Sequence, residues 1–225
     1  MSNLSYWAKL PLINNFLLKI LKNNREKIHE IFINNTIYNE ECSLIDIGTT
    51  ADKDESHNII LRKTQNNKKI SCFSDQNISF LKEKYTNINQ FYIGDAKKTE
   101  LENESFDITY SSATIEHVGS FQEQINFVKE CLRISKKQVF ITTPNRFYPI
   151  DFHTKIPFLH WLPKKIHRKI LSLIGLKFYS LEENLNLLDK ESLIKITEKI
   201  NIKNFKIIDH KFLKISSNLI LIINK

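Results

Sequence analysis

The sequence predicts an α/β fold built from βαβ units, and three observations carry that prediction. Residues 44–48 (Leu-Ile-Asp-Ile-Gly) and 92–96 (Tyr-Ile-Gly-Asp-Ala) each read as an apolar strand ending in an acid and a glycine. Residues 106–144 read as strand, polar turn, helix and strand, closing at Pro144. Ligands of such sheets bind outside the carboxyl ends of the strands. Acids and glycines gathered at those ends point to a site for a nucleotide-containing cofactor.

The 225 residues suffice for one domain with a small appendage: a helical extension over 1–40 and a main domain over 41–225. The hydrophobic content of 41% and charged content of 26% are those of a globular chain. Cys42, Cys72 and Cys131 are odd in number and lack metal-ligand spacing, which fits buried thiols, a reducing cytoplasm and no bound metal. Lys9, Pro11, Asn14, Asn15 and Lys19 interrupt the apolar start, so neither a secretory signal nor a membrane span is expected. The net charge of +8 is concentrated: six Lys or Arg and no acid lie between Asp151 and Glu182. Such a run suits phosphate, anionic lipid or nucleic acid, with a solvated basic face as the plain alternative.

Taken in order, Leu17, Leu21, Ile28 and Ile31 or Phe32 recur near helical spacing within residues 1–40. Strands follow at 43–47, 70–73 and 90–93, with helices at 54–64 and 78–85 between them. Ser120 and Glu123 form a Ser-x-x-Glu cap ahead of Phe121, Ile125, Val128 and Leu132, which share one helical face. Residues 144–163 hold four of the five prolines and no periodicity, the mark of a functional loop. A basic helix follows Pro163 and ends at Gly175, Asp189 caps another through Lys199, and strands at 203–209 and 217–223 complete the sheet.

Three of the four glycines sit where the backbone must turn sharply or come close to a ligand: Gly48 and Gly94 beside predicted strand ends, and Gly119 ahead of the capped helix. Without a Cβ, Gly48 lets a ligand approach the backbone. Asp75 is placed to accept from a ribose diol. Asp95 is placed to accept from an adenine amino group, while the N–H of Ala96 donates to a ring nitrogen.

The series Asp46-Ile-Gly48, Asp75, Gly94-Asp95-Ala96, residues 106–119 and Thr143-Pro-Asn resembles the class I S-adenosylmethionine-dependent methyltransferases, closest to the type 11 group. The resemblance spans about residues 40–225 and is strongest over 88–163. It implies a Rossmann-like three-layer sandwich with a seven-stranded, mostly parallel sheet and an antiparallel last strand. It implies S-adenosylmethionine as cofactor, with Asp46, Gly48 and Thr49 by the methionine moiety, Asp75 at the ribose, Asp95 and Ala96 at the adenine, and Ser111 and Ser112 beneath the sulfonium.

One departure stands out. The family's glycine-rich turn is replaced by Gly48-Thr-Thr-Ala-Asp, in which Thr49, Thr50 and Asp52 can rebuild the turn through side-chain hydrogen bonds. The same lack of glycines argues against NAD, whose pyrophosphate needs them.

An activated sulfonium leaves the protein to align the acceptor and remove a proton, with no metal required. His117 is the candidate base, since imidazole titrates near neutrality, and a packing role is its alternative. Asn145 and Arg146 join it as catalytic candidates; Tyr148 and His153 are candidate substrate contacts, with Arg146 suited to phosphate or carboxylate. Residues 161–174 read as basic and amphipathic, with Ile166, Ile170 and Ile174 inward and Lys164, Lys165, Arg168 and Lys169 outward.

The resulting expectation is methyl transfer to a small-molecule, lipid or glycan acceptor, on oxygen. The protein is expected in the cytoplasm, with a peripheral membrane contact through 161–174 as a further reading. No nucleic-acid partner is expected. A non-catalytic binding module on the same fold is the alternative, motivated by the altered turn.

Overall fold

The computed structural model describes residues 11–51 and 57–225, with side chains from residue 22 onward; Asp52 and the first three residues of the helix expected over 54–64 therefore fall outside it, and the described part of that stretch forms α2 (Ile59–Lys63). Seven strands form one sheet in the order β3-β2-β1-β4-β5-β7-β6. They are β1 (Leu44–Ile47), β2 (Ile70–Ser74), β3 (Ile88–Ile93), β4 (Phe106–Ser112), β5 (Ser135–Pro144), β6 (Phe205–Phe212) and β7 (Ile215–Asn224). The pairs among β1–β5 are parallel, and β7 runs antiparallel to both β5 and β6. This is the α/β architecture with an antiparallel last strand that the resemblance implied.

The two-residue period of a strand sorts the core into two faces. Ile45, Ile47, Val139, Ile141, Leu219 and Leu221 pack with α4 (Phe121–Ile134) and α7 (Lys190–Lys199). Leu44, Cys72, Ile108, Phe140, Ile220 and Ile222 pack on the other face with α1 (Pro11–Asn35) and α2 (Ile59–Lys63). Ser120 accepts from the Glu123 N–H and Asp189 from the Ser192 N–H, so both predicted N-caps are formed. The stretch expected to be helical over 78–85 contracts to α3 (Leu81–Lys84), a single turn.

The described part of α1 packs deep on the sheet. Phe32 is fully buried, with its ring 5.3 Å from Tyr110 and 5.1 Å from Phe140 in edge-on contacts. Asn24 donates to Asn218 Oδ1 and its own Oδ1 meets His210 Nε2, both at 2.6 Å, tying the helix to the β6–β7 hairpin.

Helix α5 (Lys164–Leu173) corrects the expected facing of the basic segment. His167 and Leu171 are its buried residues, whereas Ile166 and Ile174 are 49% and 53% exposed. Lys164, expected outward, is half-buried and donates to Asn186 Oδ1 at 2.6 Å. The inner face is set by His167 and Leu171, one helical turn apart, which displaces the isoleucine row toward solvent. Helix α6 (Lys177–Ser180) follows.

Candidate functional site

The ends of β1–β4 frame an open cleft of about 610 Å3. Its floor is the turn after β1. Gly48 adopts φ +91°, and its N–H and that of Thr49 both donate to Phe73 O, at 2.9 and 3.1 Å. After β4, Ala113 is held in the left-handed region at φ +54°, which turns the chain back across β1. Thr114 then lies directly over Gly48, and a Cβ on residue 48 would overlap its hydroxyl. The glycine is thus required by the protein's own Thr114, and not by a ligand alone.

Side chains hold the glycine-poor turn together. Thr49 is buried and donates to Asp46 Oδ2 at 2.9 Å. Asn58 accepts from the Thr50 N–H and donates to Thr50 O, at 3.3 and 3.1 Å, closing the segment across eight residues. Thr49 was expected in this role; Asn58 was not, because its partner is set by how α2 folds back.

Asp46 is 5% exposed and sits beneath the floor rather than in the lining. Burial pushes its carboxyl up to about 7, against the lowering hydrogen bond from Thr49. Asp75 and Asp95, both exposed, line the cleft at the ends of β2 and β3 together with Gly94 and Ala96. Asp95 accepts from the Lys97 N–H at 2.9 Å, and Lys97 Nζ lies 3.2 Å from its carboxylate. Among the described lining residues Lys97 is the one Lys or Arg, and it is already paired with Asp95.

Ser111 and Ser112 are turned away from the cleft, contrary to expectation. Ser111 is fully buried and donates to Ile47 O at 2.8 Å, stitching β4 to β1. Ser112 Oγ meets Thr142 Oγ1 at 3.1 Å, on the β5 side. Strand β4 runs through Ser112, so both hydroxyls serve the sheet, and Ala113 and Thr114 reach the cleft instead.

His117 lies at the cleft wall, at the end of a 3-10 turn (Ile115–His117), and it meets His153 from the loop after β5. The two Nε2 atoms are 3.0 Å apart. His117 Nδ1 is 2.6 Å from Asn184 O, and His153 Nδ1 is 3.1 Å from Asp151 Oδ1. Protein packed around the His117 ring lowers its pKa, against the raising pull of Glu116. Burial also pulls His153 down, but the hydrogen bond and charge of Asp151 outweigh it and raise the pKa. Asp151, though buried, is held well below the usual carboxylate range by His153 and the Thr154 hydroxyl.

The other acceptor-side candidates do not join this pair. Asn145 donates to Ser216 O at 3.1 Å and accepts from the Phe147 N–H, so both ends of its amide serve the chain. Arg146 donates to His160 O and Leu162 O, at 3.1 and 2.8 Å, in a small polar recess shared with Lys164, Arg168 and Asn186. Tyr148 is buried and its ring stacks on Phe152 at 5.2 Å. A loop outside regular structure must satisfy its own polar groups, and these side chains do that work. Glu116 and Asp151, absent from the sequence-derived set, back the histidines; their only sequence signal is adjacency to His117 and a position two before His153.

Comparisons with known proteins agree with the architecture. Residues 63–142 match a family model described as a methyltransferase domain. A comparison with curated proteins finds no match. Among solved structures, a putative methyltransferase from Bacillus halodurans is similar at TM-score 0.58 and 12% identity, over 89% of this chain and 98% of that one. A putative S-adenosyl-L-methionine-dependent methyltransferase from Methanococcus maripaludis is similar at 0.57 and 16%, over 96% and 91%. The cyclase SpnF is similar at 0.52 and 12%, over 81% and 58%, so the fold hosts more than one reaction. The described helices include none long and apolar enough to cross a membrane. With its strand order and its antiparallel β7, the chain has the fold of these methyltransferase structures, and its residues 63–142 match the methyltransferase-domain model.

Proposed function

We propose that the chain transfers a methyl group from S-adenosylmethionine to an oxygen of an acceptor presented at His117 and His153. The observation that carries this reading is one cleft that joins exposed carboxylates at successive strand ends to an imidazole pair on its wall. The lining fits a cofactor that is cationic and carries no phosphate: Asp75 is exposed, and the lining cation Lys97 is paired with Asp95, which leaves no free cation among the described lining residues. Asp75 accepts from the ribose hydroxyls, and Asp95 with the Ala96 N–H receives the adenine edge. The backbone of Gly48 and Thr49 borders the methionine moiety. Asp46 is a positioning residue, acting through Thr49 Oγ1.

The bound cofactor supplies a methyl group on a positively charged sulfur, which leaves as a neutral thioether when the C–S bond breaks. The protein's share is to fix the acceptor hydroxyl in line and take its proton at the histidine pair, so that the oxygen lone pair forms the new O–C bond. Asn184 O and Asp151 keep the Nδ1 atoms of the two rings occupied and turn both Nε2 atoms toward the same point.

The acceptor is a small molecule, lipid or glycan. Exposed apolar side chains beside exposed lysines favour an acceptor met at an anionic membrane surface: Trp161, Leu162, Ile166, Leu173 and Ile174 lie with Lys165 and Lys169 in a segment that has no acid. Calorimetric titration with S-adenosylmethionine and S-adenosylhomocysteine tests the central reading. Saturable binding of both is expected. A folded protein that binds neither would favour a non-catalytic module.

A further inference from the structure

We propose that Glu116, His117 and His153 form a binding site for a divalent transition metal, best suited to Zn2+, in the cleft wall. The hydrogens on the two rings are fixed by their Nδ1 partners. A backbone carbonyl can only accept, so His117 Nδ1, 2.6 Å from Asn184 O, carries its hydrogen. Asp151 accepts from the His153 N–H through one oxygen and from the Thr154 hydroxyl through the other, at 3.0 and 2.7 Å. It is an acceptor on both sides, so His153 Nδ1 carries its hydrogen too. Each neutral ring is left with its lone pair on Nε2, and those two atoms face each other at 3.0 Å.

Facing lone pairs need something positive between them. A shared proton would satisfy the two nitrogens and leave Glu116 unexplained. Glu116 is fully buried; its Oε2 accepts from the Thr143 hydroxyl at 2.9 Å, while Oε1 has no hydrogen-bond partner. That orphaned oxygen lies 3.8 Å from His153 Nε2. An unpaired buried carboxylate oxygen costs free energy that a cation would recover. A cation answers all three groups at once.

The spacing agrees with this. Metal–nitrogen bonds of about 2.0–2.1 Å in a tetrahedral set put donor atoms roughly 3.3–3.4 Å apart. The observed 3.0 and 3.8 Å bracket that value, and all three donor atoms lie within 4.8 Å of one another. Two imidazoles and one carboxylate suit zinc. The outer partners have the form that orients metal-bound histidines, a carboxylate behind one ring and a backbone carbonyl behind the other. His117 is exposed toward the cleft, which leaves a fourth position open to a ligand. With the metal bound, the Nε2 lone pairs no longer accept the acceptor's proton, and the metal would instead hold the acceptor oxygen and lower its pKa, a step that rests on the methyl-transfer reading; the metal site itself does not.

Zinc chloride titrated into chelator-treated protein without cofactor, followed by calorimetry, is the test, with the visible spectrum of the Co2+ form as a second readout. One equivalent is expected, with affinity reduced at least about 100-fold in His117→Ala and His153→Ala. Asp151→Asn is expected to weaken binding about 10–100-fold, as removal of an outer partner does. Circular dichroism establishes that each variant is folded, and His117→Ala, at an exposed position, serves should His153→Ala fail to fold. Absence of saturable binding, or binding that both histidine variants retain, overturns the site. Cofactor titration in chelator separates the two readings: zinc bound without cofactor binding refutes the transfer reading alone, and the reverse refutes the metal alone.

Discussion

The two sides of the cleft are built on different physical terms. The floor is made of strand ends, where parallel β1, β2 and β4 fix the backbone and short buried contacts fix the side chains: Thr49 on Asp46, Ser111 on Ile47 O, Thr114 over Gly48. The far side, residues 145–188, lies outside the sheet. It carries ten of the sixteen large apolar side chains that are exposed among the described residues, from Phe147 to Leu181. The floor is set by the sheet and barely depends on loop detail. The far side holds its shape through contacts between loop side chains and backbone carbonyls, as Arg146 does with His160 and Leu162, and leaves its apolar residues for something outside the chain. Under the proposed function, the cofactor belongs with the first surface and the acceptor with the second.

The largest effect that would sharpen this contrast is at the junction. His117→Ala is expected to lower methyl transfer about 10²–10⁴-fold, the usual worth of a proton-handling group, while leaving cofactor affinity within about twofold. Equal loss of both, measured by turnover and calorimetry, would assign His117 to the floor instead of the acceptor side.

Beneath the floor, Asp46 predicts a dependence on pH. Its folded pKa of about 7 lies above the ordinary 3.8, so the folded chain holds the extra proton between those values. Stability is therefore greatest below about pH 4 as far as this group is concerned, and is lost as pH rises through 7. Asp46→Asn removes the dependence, so its stability relative to the parent should rise by roughly 4 kcal/mol between pH 4 and 8. Urea unfolding of both proteins across that range measures it; a difference independent of pH would mean that Asp46 is ionised throughout.

A smaller effect is expected at the rim. Asp75→Ala should weaken S-adenosylmethionine binding about 10–100-fold, the range for hydrogen bonds to a charged group, with little change in melting temperature because the side chain is exposed. Unaltered affinity would move the ribose elsewhere. Smallest is the far side: Leu173→Asp, at a residue 76% exposed, should reduce binding to anionic vesicles about tenfold in sedimentation, and raised salt should reduce it further. Parent protein that ignores such vesicles would leave the exposed apolar row to another partner.

Much of the floor was legible from residue order, since a strand's period and its closing glycine or acid are local. The caps at Ser120 and Asp189, the strand series and the lining positions Gly48, Asp75, Asp95 and Ala96 follow from that pattern. The far side was not legible in the same way. Asn145, Arg146 and Tyr148 have the right chemistry for an acceptor, yet each is used by the loop's own backbone or packing. Nothing in a linear pattern says whether a polar side chain faces a ligand or a neighbouring carbonyl.

By itself, then, the sequence determined the sheet, the helices between its strands and the acids at its edges, because helix and strand periods and caps act over a few residues. Tertiary structure decided the rest: that Phe32 enters the core, that Ser111 and Ser112 bond across strands, that Ile166 faces out, and that Glu116, His117 and His153 meet. These depend on pairs such as 117 and 153, distant along the chain, and only the closing of the fold brings such groups within bonding distance.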